Sequence, residues 1–145
     1  MIKLKIQKLD KTIKSPKYAH IGDAGLDLYS ASDCILRPYE RRKVPTGIKV
    51  AIPEGFAGFV QPKSGLAIKS GLSLVNTPGL IDSGYRGEIC AILINLDPDK
   101  DFIIKRGDKI CQLVIQRVES VEIELTDELN NTSRGKDGFG STGLK

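Results

Sequence analysis

A glycine-rich stretch, residues 77–88, contains the residue types that a hydrolytic reaction requires. It holds one carboxylate, Asp82, and three residues later one phenol, Tyr85. A carboxylate held in a fixed direction can act as the general base that activates a water molecule. By itself, however, the stretch is more typical of a β-hairpin with a solvated aspartate in its loop.

Turn-forming residues punctuate the same stretch. Pro78 presets its own φ, and glycine reaches positive φ at little cost. We therefore predict that tight turns occur at Pro78, Gly79, Gly84 and Gly87. The apolar run at residues 89–94 follows directly and predicts a buried strand, which would hold the turn, and Asp82 with it, in place.

Two other segments carry groups that can bind an anion. Lys63 and Ser64 place a cation and a hydroxyl at the predicted start of a short helix, and helix N-termini bind phosphates. The alternative is an ordinary N-cap with a solvated lysine. Gln112 lies within an apolar run, where its amide must find a hydrogen-bonding partner.

The C-terminal segment contains a third candidate. Residues 138–143 match the pattern G-x-G-x-x-G, but the chain ends two residues later, so the helix of a dinucleotide-binding fold cannot follow. Exposed backbone N–H groups, two hydroxyls, the ring of Phe139 and the guanidinium of Arg134 could instead wrap an anion. Plain disorder is the alternative.

Composition limits the class of protein. The chain has 145 residues, 40% hydrophobic and 28% charged, as in one ordinary globular domain. Its net charge of +4 suits an anionic small ligand as well as nucleic acid. Three dispersed cysteines predict buried thiols in a reducing compartment, and a single histidine, His20, argues against a histidine-based metal site. No signal peptide or membrane span is evident, which favours a cytoplasmic location.

Short alternating and apolar runs predict an all-β fold, a distorted jelly-roll barrel or sandwich with one short helix. The run at residues 88–96 is apolar at nearly every position, so we expect both of its faces to be covered. Ser64 is the expected N-cap of the helix at residues 64–69, and Gly71 its terminator. The predicted strands cover residues 2–6, 24–29, 34–36, 44–52, 55–60, 72–75, 88–96, 102–104, 109–118 and 121–125.

The chain divides by composition into two parts. Residues 1–125 form the expected catalytic jelly-roll domain. Residues 126–145 are polar and glycine-rich and cannot bury enough apolar surface to fold alone. We expect them to be a flexible tail that closes over the active site.

Together, these segments resemble the deoxyuridine triphosphatase (dUTPase) family. Five motifs appear in the order typical of that family, and they extend over nearly the whole chain. They are Ala24–Ala31, Pro62–Ala67, Asn76–Gly87 with its Gly-Leu-Ile-Asp-Ser-Gly-Tyr core, Gly107–Gln112 and Arg134–Ser141. Five ordered matches outweigh the separate alternatives given for each segment.

The resemblance implies a homotrimer of jelly rolls that hydrolyses dUTP to dUMP and pyrophosphate with Mg²⁺, limiting uracil in DNA and supplying dUMP. Each of three active sites would take motifs from all three chains. Neither a nucleic-acid partner nor a membrane is implied.

The same resemblance implies a role for each matched residue. Asp82 is similar to the base that activates water, Tyr85 to the ring beneath the deoxyribose that excludes a 2′-hydroxyl, and Asp27 to a carboxylate that approaches Mg²⁺ through water. The uracil slot would be formed by Asn76, Gly79, Leu80, Ile81 and the backbone of Cys90. Phosphate-binding positions are Lys63, Ser64, Gly65 and Gln112, and the closing tail would use Arg134, Phe139, Gly140, Ser141 and Thr142.

One position departs from the family pattern, and two other functions stay open. The family usually has arginine where this chain has Lys63, and lysine lacks the planar two-pronged donor. A dCTP deaminase shares the fold family and would release ammonia instead of pyrophosphate. A non-catalytic nucleotide-binding regulator on the same scaffold is the other alternative.

Overall fold

The computed structural model describes residues 2–138 of the chain. Within that range it contains eleven strands and one short helix, so the predicted all-β jelly-roll fold is confirmed. The elements are β1 Lys5–Lys8, β2 Gly25–Tyr29, β3 Cys34–Leu36, β4 Arg41–Pro45, β5 Ile48–Ala51, β6 Phe56–Gln61, α1 Ser64–Ser70, β7 Leu72–Leu74, β8 Gly79–Ile81, β9 Cys90–Asn95, β10 Phe102–Ile104 and β11 Lys109–Arg117.

The strands form four antiparallel sheets around one core. The largest sheet has the order β2-β11-β6-β8, the second has the order β4-β9-β7, and β1-β5 and β10-β3 form two-stranded ribbons. Side chains from the two larger sheets meet in the core, among them Leu28, Leu113, Val44 and Leu93. Because neighbouring residues of a strand point to opposite faces, the outer face of the β2-β11-β6-β8 sheet is available for polar groups.

The predicted strand at residues 44–52 is wrong in one respect, since it is two strands. The chain leaves β4 at Pro45 and turns at Gly47, whose φ of +71° glycine adopts easily. The buried Thr46 side chain donates a 2.6 Å hydrogen bond to the carbonyl of Ile89, and the Gly47 N–H donates to Oε1 of Glu88 at 2.8 Å. These bonds attach the turn to the beginning of β9.

The helix ends as predicted but begins differently. Lys63, not Ser64, is the N-cap residue of α1, and its side chain makes no capping hydrogen bond. Ser64 is the first helical residue and is exposed. Gly71 takes the left-handed conformation at the C-cap, as its position indicates.

Several apolar surfaces that the sequence predicts to be buried are open in this single chain. Strand β9 alternates between buried and half-buried residues, so its outer face is not fully covered. In the first segment the strand starts only at Lys5, and Ile2 and Ile6 are exposed. Of the three cysteines, only Cys111 is buried, whereas Cys34 and Cys90 are half-buried.

The strand predicted at residues 121–125 is wrong for this chain. No strand follows β11 within the described residues, and Val121, Ile123 and Leu125 are each at least 80% exposed. A strand needs a hydrogen-bonding neighbour, and no other segment of the described chain pairs with this one. Residues 126–138 likewise contain no helix or strand. No helix among the described residues is long and apolar enough to cross a bilayer.

Candidate active site

A polar pocket lies on the outer face of the largest sheet, where β2, β6 and β11 run side by side. Its volume is about 310 Å³. It contains three of the residues that the sequence singles out, Asp27, Lys63 and Gln112. Two of them, Asp27 and Gln112, are register partners across β2 and β11. The other lining residues are Ala19, Asp23, Ala24, Gly25, Gln61 and Val114.

Asp27 is the most enclosed charged residue of this pocket, with a relative exposure of 4%. Its Oδ1 atom is paired with the ammonium group of Lys63, and its Oδ2 atom lies 2.7 Å from Nζ of Lys109. Burial raises the pKa of Asp27, but the contacts with Lys109 and Lys63 outweigh burial and lower the pKa below its ordinary value. Asp27 is therefore an ionised carboxylate between two cations.

Gln112 points into the pocket and is fixed there by two features. Its Nε2 donates a 3.0 Å hydrogen bond to the carbonyl of Pro62, just before α1. On the neighbouring strand, a Cβ at Gly25 would lie only 2.4 Å from the Gln112 side-chain oxygen. Glycine at position 25 therefore makes the space for the amide, and the amide connects β11 to the start of α1.

The donor set of this pocket fits a Mg²⁺ ion that arrives with its own ligands. No group of three or more histidine, cysteine or acidic side chains gathers anywhere within residues 2–138. Asp27 is the carboxylate nearest to the lysines, and both of its oxygens already face ammonium groups. Mg²⁺ commonly keeps several waters and binds substrate phosphates, so one carboxylate near that water shell is enough.

The glycine-rich stretch forms strand β8 and an irregular turn that leads to β9. Asp82 lies immediately after β8 and is exposed, and its carbonyl accepts a 3.1 Å hydrogen bond from the Tyr85 N–H. The turn predicted at Gly84 is present, the chain bends at Pro78 and Gly87, and the turn predicted at Gly79 is wrong; none of the three glycines has a positive φ. Gly79 belongs instead to β8, which pairs with β6.

Two of these glycines are explained by close approach. A Cβ at Gly87 would lie 2.2 Å from the Tyr85 hydroxyl oxygen, so the phenol folds back over the chain only because residue 87 has no side chain. The hydroxyl donates a 3.0 Å hydrogen bond to the carbonyl of Glu88. At Gly79, a Cβ would lie 3.1 Å from the side-chain nitrogen of Asn76, so the exposed Asn76 side chain packs against the backbone of β8.

A second pocket, of about 330 Å³, lies beside this turn. Three residues with sequence-predicted roles line it, namely Ile81, Tyr85 and Cys90. Tyr85 is 44% exposed, and Leu80, which does not line the pocket, is 58% exposed. The remaining lining residues are Lys43, Glu88 and Ile92.

The two pockets are lined by different parts of the described chain, since within residues 2–138 they have no lining residue in common. Arg134 lies on the exposed C-terminal segment, where its Nε donates to the carbonyl of Asp137 at 3.0 Å. The remaining predicted tail residues, Phe139, Gly140, Ser141 and Thr142, lie outside the described residues.

Sequence reasoning missed three residues that the structure places at these pockets. Lys109 reaches Asp27, Glu88 fixes the turn at Gly47, and Gly25 makes room for Gln112. No local sequence pattern predicts the contact between Lys109 and Asp27, because it depends on an irregular strand register. The glycine of the Gly25-Leu26-Asp27 sequence, in contrast, is a visible signal for a close approach between strands.

The sequence is similar to proteins with established names. The model of the dUTPase family matches residues 11–143. A relative from Corynebacterium glutamicum, named deoxyuridine 5′-triphosphate nucleotidohydrolase, is 55% identical over 140 residues, which cover 97% of this chain and 94% of the relative. A protein of the same name from Thermobifida fusca is 51% identical, with 98% of this chain and 79% of the relative covered.

Solved structures of dUTPases have the same fold as this chain. A mutant dUTPase of Staphylococcus bacteriophage 80alpha, solved with dUpNHpp, superimposes with a TM-score of 0.92 at 28% identity and covers 99% of this chain and 100% of its own. A mutant dUTPase from phage phi11 of S. aureus, described with a structural Mg(II) ion, gives a TM-score of 0.82 at 27% identity and covers 90% and 100%.

Proposed function

The chain belongs to the dUTPase family, and we propose that it hydrolyses dUTP to dUMP and pyrophosphate. The observation that carries this proposal is the match of the family model to residues 11–143 together with 55% identity to a named nucleotidohydrolase. The cationic pocket around Asp27 supports it, because a triphosphate is the most highly charged part of such a substrate. No observation on residues 2–138 favours the deaminase or the non-catalytic alternative.

In the proposed reaction, Asp82 is the general base. It accepts a proton from a water molecule as the water oxygen bonds to the α-phosphorus of dUTP. The bond from that phosphorus to the bridging oxygen breaks, and pyrophosphate leaves with the electron pair. The exposed position of Asp82 after β8 gives water access to the carboxylate, and a well-placed base contributes about 10²–10⁴ in rate.

The phosphate groups are proposed to bind at the start of α1 and in the Asp27 pocket. Lys63 supplies charge, Gln112 an amide, and Ser64 and Gly65 a hydroxyl and backbone N–H groups. Mg²⁺, when bound with the substrate, neutralises charge on the phosphate oxygens. Asp27 would hold a water of that ion, and Lys63 would remain beside the phosphates.

The uracil and the sugar are proposed to bind beside the turn that follows β8. The Tyr85 ring lies beneath the deoxyribose and leaves no space for a 2′-hydroxyl. Uracil pairs with backbone groups, which exclude a 5-methyl group by contact. The backbone comes from the turn and from the start of β9, namely Asn76, Gly79, Leu80, Ile81 and Cys90.

We further propose that the protein is a homotrimer with shared active sites. Three observations support this, and the first is the separation of the two pockets within one chain. The second is the half-buried apolar face of β9. The third is the segment 119–125, whose exposed Val121, Ile123 and Leu125 alternate with glutamates as in a strand that lacks a neighbour.

The segment from residue 126 to residue 145 is proposed to be a separate, flexible part of the chain that closes over bound nucleotide. Arg134 would contact the γ-phosphate, and Phe139 would stack on uracil, an interaction worth about 1–3 kcal/mol per base. Gly140, Ser141 and Thr142 would add backbone and hydroxyl donors. Closure that depends on the γ-phosphate favours substrate over the product dUMP.

The proposal is tested by measuring pyrophosphate and ammonia release from dUTP, dTTP, UTP and dCTP, with and without Mg²⁺. We expect pyrophosphate from dUTP with Mg²⁺, and a preference over the other nucleotides of about 10³ or more in kcat/KM, beyond what an apolar pocket alone gives. Equal use of UTP would remove Tyr85 from beneath the sugar. Ammonia from dCTP would replace the proposed reaction with deamination.

A further inference from the structure

Lys109 reaches the Asp27 pocket because of an irregularity in the sheet. Strand β11 pairs Cys111 with Leu28 and Gln112 with Asp27, but Lys109 is opposite Tyr29, so the register shifts between Lys109 and Cys111. A bulge of this kind reverses the face on which the following side chains lie. Without it, Lys109 would lie on the core face together with Cys111.

Burial along β11 agrees with this geometry. Ile110 and Cys111 are consecutive residues, yet both are buried, whereas Lys109 is exposed and lies on the face of Asp27. Lys109 and Asp27 are diagonal neighbours across the two strands, a spacing that long side chains can bridge. The bulge therefore places an ammonium group within 2.7 Å of the buried carboxylate.

The two lysines occupy different sides of Asp27. Lys63 lines the phosphate pocket and contacts Oδ1, whereas Lys109 contacts Oδ2 and does not line the pocket. One carboxylate between two ammonium groups leaves the cluster with one net positive charge. With Lys63 alone, the cluster would be neutral.

We infer that Lys109 is a positioning residue of the phosphate site, which holds Asp27 from outside the pocket so that Lys63 is available to the phosphates of the substrate. A buried carboxylate with a single cation holds that cation strongly, because separating the pair leaves an uncompensated buried charge. Lys109 compensates Asp27 when Lys63 turns to a phosphate. The ammonium of Lys109 itself need not touch the substrate.

This inference rests on the proposed function only for its choice of nucleotide, since inorganic tripolyphosphate tests the same site. The variants are Lys109→Met, which keeps the length without charge, and Lys109→Gln, which keeps a hydrogen-bond donor without charge. Lys109→Arg keeps the charge and should bind the phosphate ligands as the wild type does. The matched control is Lys105→Met, because Lys105 is an exposed lysine on the loop that leads into β11 and has no ion pair within the described chain.

Three quantities are measured on variants with verified thermal melting: the Kd of dUTP with EDTA present, the Kd of tripolyphosphate, and the Kd of deoxyuridine. We expect Lys109→Met and Lys109→Gln to weaken dUTP and tripolyphosphate binding about tenfold while deoxyuridine binding changes less than about twofold. With Mg²⁺, the loss should appear in KM more than in kcat. Lys109→Arg and Lys105→Met should resemble the wild type.

Two outcomes would overturn the inference. In the first, the uncharged variants bind tripolyphosphate as tightly as Lys105→Met does. In the second, deoxyuridine binding falls as much as tripolyphosphate binding, which would indicate a general structural role. If Lys109→Met does not fold, Lys109→Gln decides between the same outcomes. A wild-type protein that fails to hydrolyse dUTP would remove the proposed function, while the tripolyphosphate comparison would still decide the role of Lys109.

Discussion

At the scale of single residues, the proposed reaction requires one carboxylate that water can reach. Asp82 is exposed after β8, whereas Asp27 is buried between two lysines, and these surroundings suit different roles. An aspartate engaged by two ammonium groups is a poor proton acceptor, since both contacts stabilise its ionised form. The exposed aspartate of the turn, which water can reach, is therefore the proposed base.

Asp82→Asn tests this assignment. Asparagine keeps the size and can still hydrogen-bond water, but it cannot accept the proton, so kcat should fall roughly 10²–10⁴-fold. The Kd of dUTP should change little, because the side chain acts mainly in the transition state. Steady-state turnover and calorimetric binding measure the two effects, with the exposed Asp99→Asn as control. Near-normal turnover would disprove the role of Asp82.

A second residue-scale prediction concerns the thiol of Cys111. Burial raises the pKa of Cys111 from 9.0 to about 12. The unfolded thiol therefore loses its proton above pH 9, while the folded thiol keeps it up to about pH 12, so folding becomes less favourable between these values. The free energy of unfolding should fall by up to about 1.4 kcal/mol per pH unit more in the wild type than in Cys111→Ala.

Urea denaturation at pH 8, 9 and 10 measures that difference. The same burial should keep native Cys111 unreactive toward a thiol reagent at pH 8 until the protein unfolds. Identical pH slopes for the wild type and Cys111→Ala would contradict the raised pKa.

At the scale of elements, the effect of replacing a glycine in the turn between β8 and β9 depends on which glycine is replaced. A Cβ at Gly87 would collide with the Tyr85 hydroxyl, whereas a Cβ at Gly84 has nothing within 4 Å, and neither residue has positive φ. Gly87→Ala should therefore displace the phenol and reduce discrimination against UTP by about tenfold or more. Gly84→Ala, the matched control, should behave as the wild type.

The ratio of kcat/KM for dUTP to that for UTP measures this effect. An unchanged ratio in Gly87→Ala would show that the phenol does not determine sugar selectivity. A loss of thermal stability without a change in the ratio would lead to the same conclusion.

The elements also show what the sequence could predict. Apolar alternation located most strands, and Gly71 located the end of α1, because these features depend on local chain geometry. The close approach of the Tyr85 hydroxyl to Gly87 and the bulge before Cys111 were not predictable, since both depend on atoms brought together by the fold. The segment 121–125 has the pattern of a strand but no neighbour in the described chain.

At the scale of the whole molecule, the proposed active site needs more than one chain to be complete. The Asp27 pocket and the Tyr85 pocket have separate linings within residues 2–138, yet one dUTP molecule would have to reach both if they are the proposed phosphate and uracil sites. A symmetric oligomer solves this by presenting one pocket of each chain to the other pocket of a neighbour.

The most direct test combines two inactive variants in one oligomer. Asp82→Asn removes the proposed base from the turn after β8, which belongs to the uracil side of the site. The double variant Lys63→Ala/Gln112→Ala removes two proposed contacts to the phosphates. Co-expression with two different tags and tandem purification gives mixed oligomers, whose dUTP turnover is compared with that of each variant alone. If the sites are shared between neighbouring chains, one of the three sites in each mixed trimer contains both intact halves, and turnover rises toward about a third of the wild-type value. Mixed oligomers no more active than the better variant would contradict shared sites.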